Sequence, residues 1–288
     1  MVHARATVIA LRPLPAYARA NKKAGARALM NFITSLPLWA LFLLLLLFTG
    51  VAMLGPVLIR RRITFDRLRV NNEVAGFKFA TIGVLYAVLL GFVVIIAWER
   101  FHEAERALAA EGGAAVTVYR LAGGLNEPLT TAIRNHIKDY LKSVNEDEWP
   151  AMAAGRWSTV TTDKLNALYE EVVHFRPADL HEFGLQQDLM RELDKVGEAR
   201  RERLIAAEGT VPTAIWFVLF FGAFLTIGFT FFFATQNEIT QAMMTGVLSA
   251  LILSAILVVI AVDRPFTGAV AVHSEPIRWV LEDMQRTP

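Results

Sequence analysis

The sequence predicts an all-α membrane protein with four transmembrane helices and a helical extramembrane domain inserted between the second and the third. Three observations carry this. Four apolar runs reach the roughly 20 residues that cross a bilayer: Leu36–Ile59, Gly76–Trp98, Val211–Ala234 and Ala242–Val262. Residues 99–210 are dense in charge, and none of their segments alternates apolar and polar residues as a half-buried strand would. The second apolar run also passes straight from "AVLLGFVVIIAW" into "ERFHEAER" with no glycine–proline break.

Taken in order, residues 1–35 form a basic arm holding Arg5, Arg12, Arg19, Lys22, Lys23 and Arg27 and no acid; Met30 is an alternative translation start. No short apolar core follows those charges before the first long run, which argues against a cleaved signal peptide. Residues 36–98 hold the first two spans. No span has a charge at its centre, where one is costly; Lys78 lies near the start of the second. Four helices are expected in the 99–210 domain, at 99–122, 129–144, 160–173 and 179–208, separated by "GGLNEP", "EDEWPAMAAGRW" and "HFRPAD". In the last, Leu185, Leu189, Leu193 and Val196 fall on one helical face. Residues 211–262 form a transmembrane hairpin around a short loop, Thr235–Gln241. Residues 263–288 open on a proline–glycine turn and end in an amphipathic helix from about Glu275 to Met284.

Composition excludes several functions. The 288 residues carry a net charge of only +2, which gives no electrostatic case for nucleic acid. Without cysteine there is no disulfide, thiolate metal site or cysteine nucleophile. The six histidines form no metal-binding spacing, and there is no nucleophile elbow or phosphate-binding glycine loop. The chain therefore reads as a non-enzyme without cofactor or metal, with the lipid bilayer as its first partner.

The informative residues lie along the second span. Gly76, Ala80, Gly83, Ala87 and Gly91 recur at spacings of four, three, four and four, drawing a small-residue stripe down one face. Such a stripe serves close helix packing or a pore wall, and an oligomer accommodates both. Gly83, Tyr86, Ala87, Leu90, Gly91 and Val94 are the candidate pore-lining residues. Phe77 and Phe79 read as an aromatic belt. A second stripe, Ala242, Gly246, Ala250 and Ser254, reads as packing, and Thr226 and Thr230 as bonded to their own helix. Beyond the membrane, Glu99, Arg100, His102, Glu103 and Arg106 stand at helical neighbour spacings. A helix unbroken over residues 78–122 would be about 65 Å long, and several copies would extend a pore beyond the bilayer. The acids of "EDEWP" read as a helix-end loop, and Trp149 and Trp157 as anchors in the domain core.

At "YAVLLGFVVIIAWERFHEAERAL" the chain resembles the bestrophin anion channels. Their pore-lining second helix continues as an aromatic–acid–arginine–aromatic pattern followed by an acid and an arginine, matched here by Trp98, Glu99, Arg100, Phe101, Glu103 and Arg106. "DRPFTG", with Asp263, Pro265, Phe266 and Gly268, is similar to the family's proline–phenylalanine–glycine turn. Together with "NNEVAGFKFATIGVLYAVLLGF" and "EWPAM", these stretches look like the bacterial bestrophin-like domain family over about residues 31–285. The resemblance implies a bacterial inner-membrane homo-oligomer, a pentamer, conducting an anion such as chloride along its second helix. Two departures stand out. The second span lacks the proline that bestrophins place in their neck. The acidic cluster of calcium-gated members is replaced by Thr267, Ala269 and Val270, so calcium gating is not implied. The alternative is a non-conducting membrane scaffold or sensor whose domain binds a partner. Orientation stays open: the basic arm favours a cytoplasmic domain, whereas Arg60, Arg61, Arg62, Arg67 and Arg69 in the first loop favour the reverse.

Overall fold

Pro37 supplies an extended residue, and the apolar run behind it coils into α1, Leu38–Arg60. The computed structural model describes residues 36–63, 68–70, 72–209, 211–233, 235–268 and 270–286. The basic arm and Met30 lie outside them. Next comes α2, Asn72–Ala122, a single helix of 51 residues, about 77 Å long. It stays whole because no proline falls between Pro56 and Pro128. It begins four residues before the expected span and crosses the 98/99 change of polarity without interruption.

The extramembrane domain adds α3 (Leu129–Ser143), α4 (Trp149–Ala153), α5 (Thr159–His174) and α6 (Leu180–Ala207) to the upper half of α2. Ser158 caps α5 by accepting from the Thr161 amide at 3.2 Å, and Asp179 caps α6 by accepting from Glu182 at 2.8 Å. The break expected at 146–157 is largely helical instead: a π-helical turn, Val144–Glu148, joins α3 to α4. An α-helix running through Pro150 would drive the ring into the carbonyl four residues earlier, and the wider π-turn avoids that clash. Trp149 is partly buried against the core, whereas Trp157 is 44% exposed.

The last spans are α7, Thr213–Thr230, and α8, Glu238–Val262. The Asn237 side chain caps α8, accepting from the Ile239 amide at 2.9 Å, so this helix starts four residues before the expected span. An amphipathic α9, Glu275–Arg286, closes the described chain. Among the described residues there is no strand.

The core runs from the membrane into the domain. In the domain, α2 packs most extensively on α6, with Ala104, Leu108, Ala115 and Val118 of α2 and Leu189, Leu193 and Val196 of α6 all buried. Leu185 of the expected apolar face is only partly buried. In the membrane region Gly222 and Gly246 are approach points. The Tyr86 ring lies on Gly222, and its hydroxyl donates to the Leu219 carbonyl at 2.9 Å. Gly246 of the expected packing stripe meets Met53 of α1. Phe79 belongs to this packing too, with centroids 6.0 Å from Phe229 and 5.6 Å from Phe233, whereas Phe77 is exposed. Thr230 bonds the Ile227 carbonyl at 2.6 Å, as expected of its helix. The Thr226 hydroxyl is buried without a partner.

A Cβ at Gly222 would stand 2.5 Å from the Tyr86 ring. Gly222→Ala is therefore expected to destabilise the bundle by about 1–3 kcal/mol through overpacking, read as a lower unfolding midpoint in detergent.

Candidate functional site

One face of α2 is open along nearly its whole length. Ala80, Val84, Ala87, Gly91, Ile95 and Trp98 are exposed, and a Cβ added at Gly83 or Gly91 would meet nothing within 4 Å. The six candidate pore-lining residues do not share that face. Ala87 and Gly91 are open, and Gly83 and Val94 are half-buried at its edge. Tyr86 and Leu90 are buried, on the side of α2 that packs within the subunit. Tyr86 turns inward because its ring needs the space over Gly222 and its hydroxyl needs the Leu219 carbonyl.

The open face continues past the membrane. Trp98 packs edge-on to His102 with centroids 4.8 Å apart, and His102 Nδ1 lies 2.8 Å from Glu105. Arg100 pairs with Glu103 at 2.8 Å. Glu99 and Arg106 are exposed. Exposed pairs of this kind contribute a few tenths of a kcal/mol each, so they leave the helix solvated rather than fastened.

What fastens it lies on the opposite face. Arg203 of α6 is fully buried and donates to both carboxylate oxygens of Glu111, Nε to Oε2 at 2.6 Å and Nη2 to Oε1 at 2.9 Å. The same Nη2 reaches Glu148 at 2.7 Å. Arg200 grips Glu148 at 2.6 Å and the Thr162 hydroxyl at 2.9 Å, and Tyr140 donates to Glu111 at 2.5 Å. Two cations and two anions thus neutralise one another, joining α2, α3, the π-turn, α5 and α6. Burial pushes the Glu148 carboxyl up, but its hydrogen bonds to the two arginines and their charges outweigh this and hold it below the ordinary carboxylate value. Burial and the neighbouring Glu111 carboxylate drive the Tyr140 phenol well above its ordinary value.

Sequence reasoning placed Glu148 in a helix-end loop and missed the other members. A signal was present. Ala104, Leu108, Glu111, Ala115 and Val118 form one stripe at spacings of four and three, and so do Leu189, Leu193, Val196, Arg200 and Arg203. A charge on a continuous apolar stripe is a buried charge, and two facing stripes with opposite charges form a pair.

The turn after α8 ties this cluster to the membrane hairpin. Asp263 is buried and accepts from the Val211 amide at 2.8 Å, fixing the start of α7. Pro265 and Phe266 are buried, and Phe266 meets Trp149 edge-on at 5.4 Å, with the Arg203 guanidinium 5.8 Å over the same indole. Gly268 closes the turn at φ +90°, a left-handed conformation that favours glycine.

This arrangement of long helix, domain and turn has relatives. The sequence profile of the Bestrophin-like domain matches residues 46–277. The chain belongs to the bestrophin-like domain family. Among solved structures, a bacterial bestrophin homologue from Klebsiella pneumoniae has 17% sequence identity and a TM-score of 0.65, with 85% of this chain and 97% of that chain covered. A single-substitution variant of that homologue gives 18%, 0.66, 86% and 97%. At these identities the likeness concerns the fold. No curated protein sequence matches the chain. Among the described residues, four helices are long and apolar enough to span a bilayer, and in a bestrophin-like chain they make this an integral membrane protein.

Removing one member of the buried cluster strands the others. Arg203→Met is expected to cost about 3–5 kcal/mol, measured as loss of the folded fraction in a denaturant series. The sign for Glu148 follows from its depressed pKa: its stabilisation is complete above the ordinary carboxylate range and is lost as pH falls through its own lower value. Thermal unfolding midpoints should drop steeply below about pH 4, and less steeply in Glu148→Gln.

Proposed function

We propose that this bestrophin-like protein forms a ring of identical subunits, five by resemblance, that conducts anions along α2. The observation that carries the reading is the open face of α2 around Ala87 and Gly91, which no element among the described residues covers. Copies arranged around an axis would turn Ala87 and Gly91 inward, with Gly83 and Val94 at the margin of the path. Tyr86 and Leu90 would support the wall from behind. With no charge on this stretch, discrimination among ions would rest on dehydration and on the rims of the path rather than on a fixed charged ring. The extramembrane half of α2 would lengthen the path into the domain, in the plasma membrane of a bacterium.

The test is ion flux. Purified protein in a planar bilayer under unequal chloride salts should reverse near the chloride equilibrium potential. Reversal toward the cation potential would keep the channel and overturn the anion assignment. Silence from a folded ring across pH, calcium and voltage would favour a scaffold or sensor in which the domain binds a partner. Ala87→Trp should abolish flux while leaving the oligomer intact on size exclusion, and unchanged flux would remove Ala87 from the path.

A further inference from the structure

At the end of the membrane bundle opposite the domain, α1 carries two features that together describe a ligand. Along its outer side Leu47, Val51, Leu54 and Leu58 recur at spacings of four, three and four, and each is more than half exposed. This stripe runs into Arg61 and Arg62, three and four residues past Leu58, both exposed. Leu58, Ile59, Arg61, Arg62 and Ile63 line a cleft of about 420 Å³ there. The neighbouring Arg60 is used internally: it donates to the Thr235 carbonyl and stands 3.5 Å from Glu238, pinning α1 to the α7–α8 loop and occupying that carboxylate. Among the described residues no carboxylate pairs with Arg61 or Arg62. By sequence, the two loops at this end and the helix ends beside them hold six basic residues (Arg60, Arg61, Arg62, Arg67, Arg69 and Lys78) against three acids (Asp66, Glu73 and Glu238).

We propose that Arg61 and Arg62 bind the phosphate of an anionic phospholipid whose acyl chain lies along the Leu47–Leu58 stripe. Guanidinium groups match phosphate oxygens with two parallel hydrogen bonds. They stand where a helix leaves the hydrocarbon, which is the depth of the headgroup phosphates. The excess of positive charge at this end selects an anionic over a zwitterionic headgroup. The exposed leucine and valine stripe gives the chain of the same molecule a bed continuous with the charge site. The site shares no residue with the open face of α2, so it stands whether or not the protein conducts.

Native mass spectrometry of the full-length protein, extracted from vesicles of equal phosphatidylglycerol and phosphatidylcholine, tests this. Phosphatidylglycerol should be retained at least tenfold over phosphatidylcholine. The double variant Arg61→Gln/Arg62→Gln should lose that preference, while Arg176→Gln/Arg201→Gln, two exposed arginines of the domain, should keep it. The thermal unfolding midpoint in phosphatidylcholine alone checks that both variants are folded. Added phosphatidylglycerol should raise it in the wild type and the control but not in Arg61→Gln/Arg62→Gln. Equal retention of the two lipids, or an unchanged preference in that variant, overturns the proposal. Competition by glycerol phosphate, which has the headgroup chemistry without chains, would show a plain anion site and overturn the lipid assignment.

Discussion

The bidentate contact between Arg203 and Glu111, 2.6 and 2.9 Å long in a fully buried setting, is the interaction on which the rest depends. Without it, the upper half of α2 would be held to α6 chiefly by apolar contacts. Apolar contacts tolerate sliding and rotation; a guanidinium fork on a carboxylate does not. The second arginine, the second glutamate and the tyrosine complete the hydrogen bonding that makes such burial tolerable. Because Arg203 also lies over Trp149, and Trp149 meets Phe266, the same fixed point sets the turn that leaves the membrane hairpin. Domain, long helix and hairpin are thereby registered to one another.

This register leaves a division of surfaces on α2. The side bearing Tyr86, Leu90, Val93 and Ala97 is committed to the subunit's own core, as are Ala104 and Leu108 farther along. The side bearing Ala87 and Gly91 is not covered by any of the described residues. Single residues decide the boundary: the glycine at 222 admits the Tyr86 ring, and that admission turns the tyrosine away from the open side. On α1 the outward side is apolar until its last turn and then changes to arginine, so the helix itself marks where the hydrocarbon ends.

Much of this was legible in the residues. The four spans, the inserted domain and the uninterrupted second helix follow from apolar length and from the positions of prolines, which are local properties. The face of α6 follows from the periodicity of Leu189, Leu193 and Val196. Two things were less legible. Pro150 looked like the end of a helix, because a sequence does not display the π-turn that carries the chain past it. The assignment of Tyr86 and Leu90 to the open side failed to anticipate their packing because a small-residue stripe fixes a face only to within a residue or two. Which edge is covered depends on α7, a partner more than 120 residues away. The buried charges fall between these cases: each sits visibly on an apolar stripe, but only the pairing of two distant stripes explains why.

The absence of a proline from α2 has a mechanical consequence. A helix of 51 residues with no proline to break it can act as a lever. A tilt of about 5° at its membrane end would carry its far end through roughly 7 Å, given a rise of 1.5 Å per residue. That is greater than the diameter of a dehydrated ion. Conversely, a displacement of the domain is passed toward the bilayer along one helix, with no proline to break its hydrogen-bonded ladder.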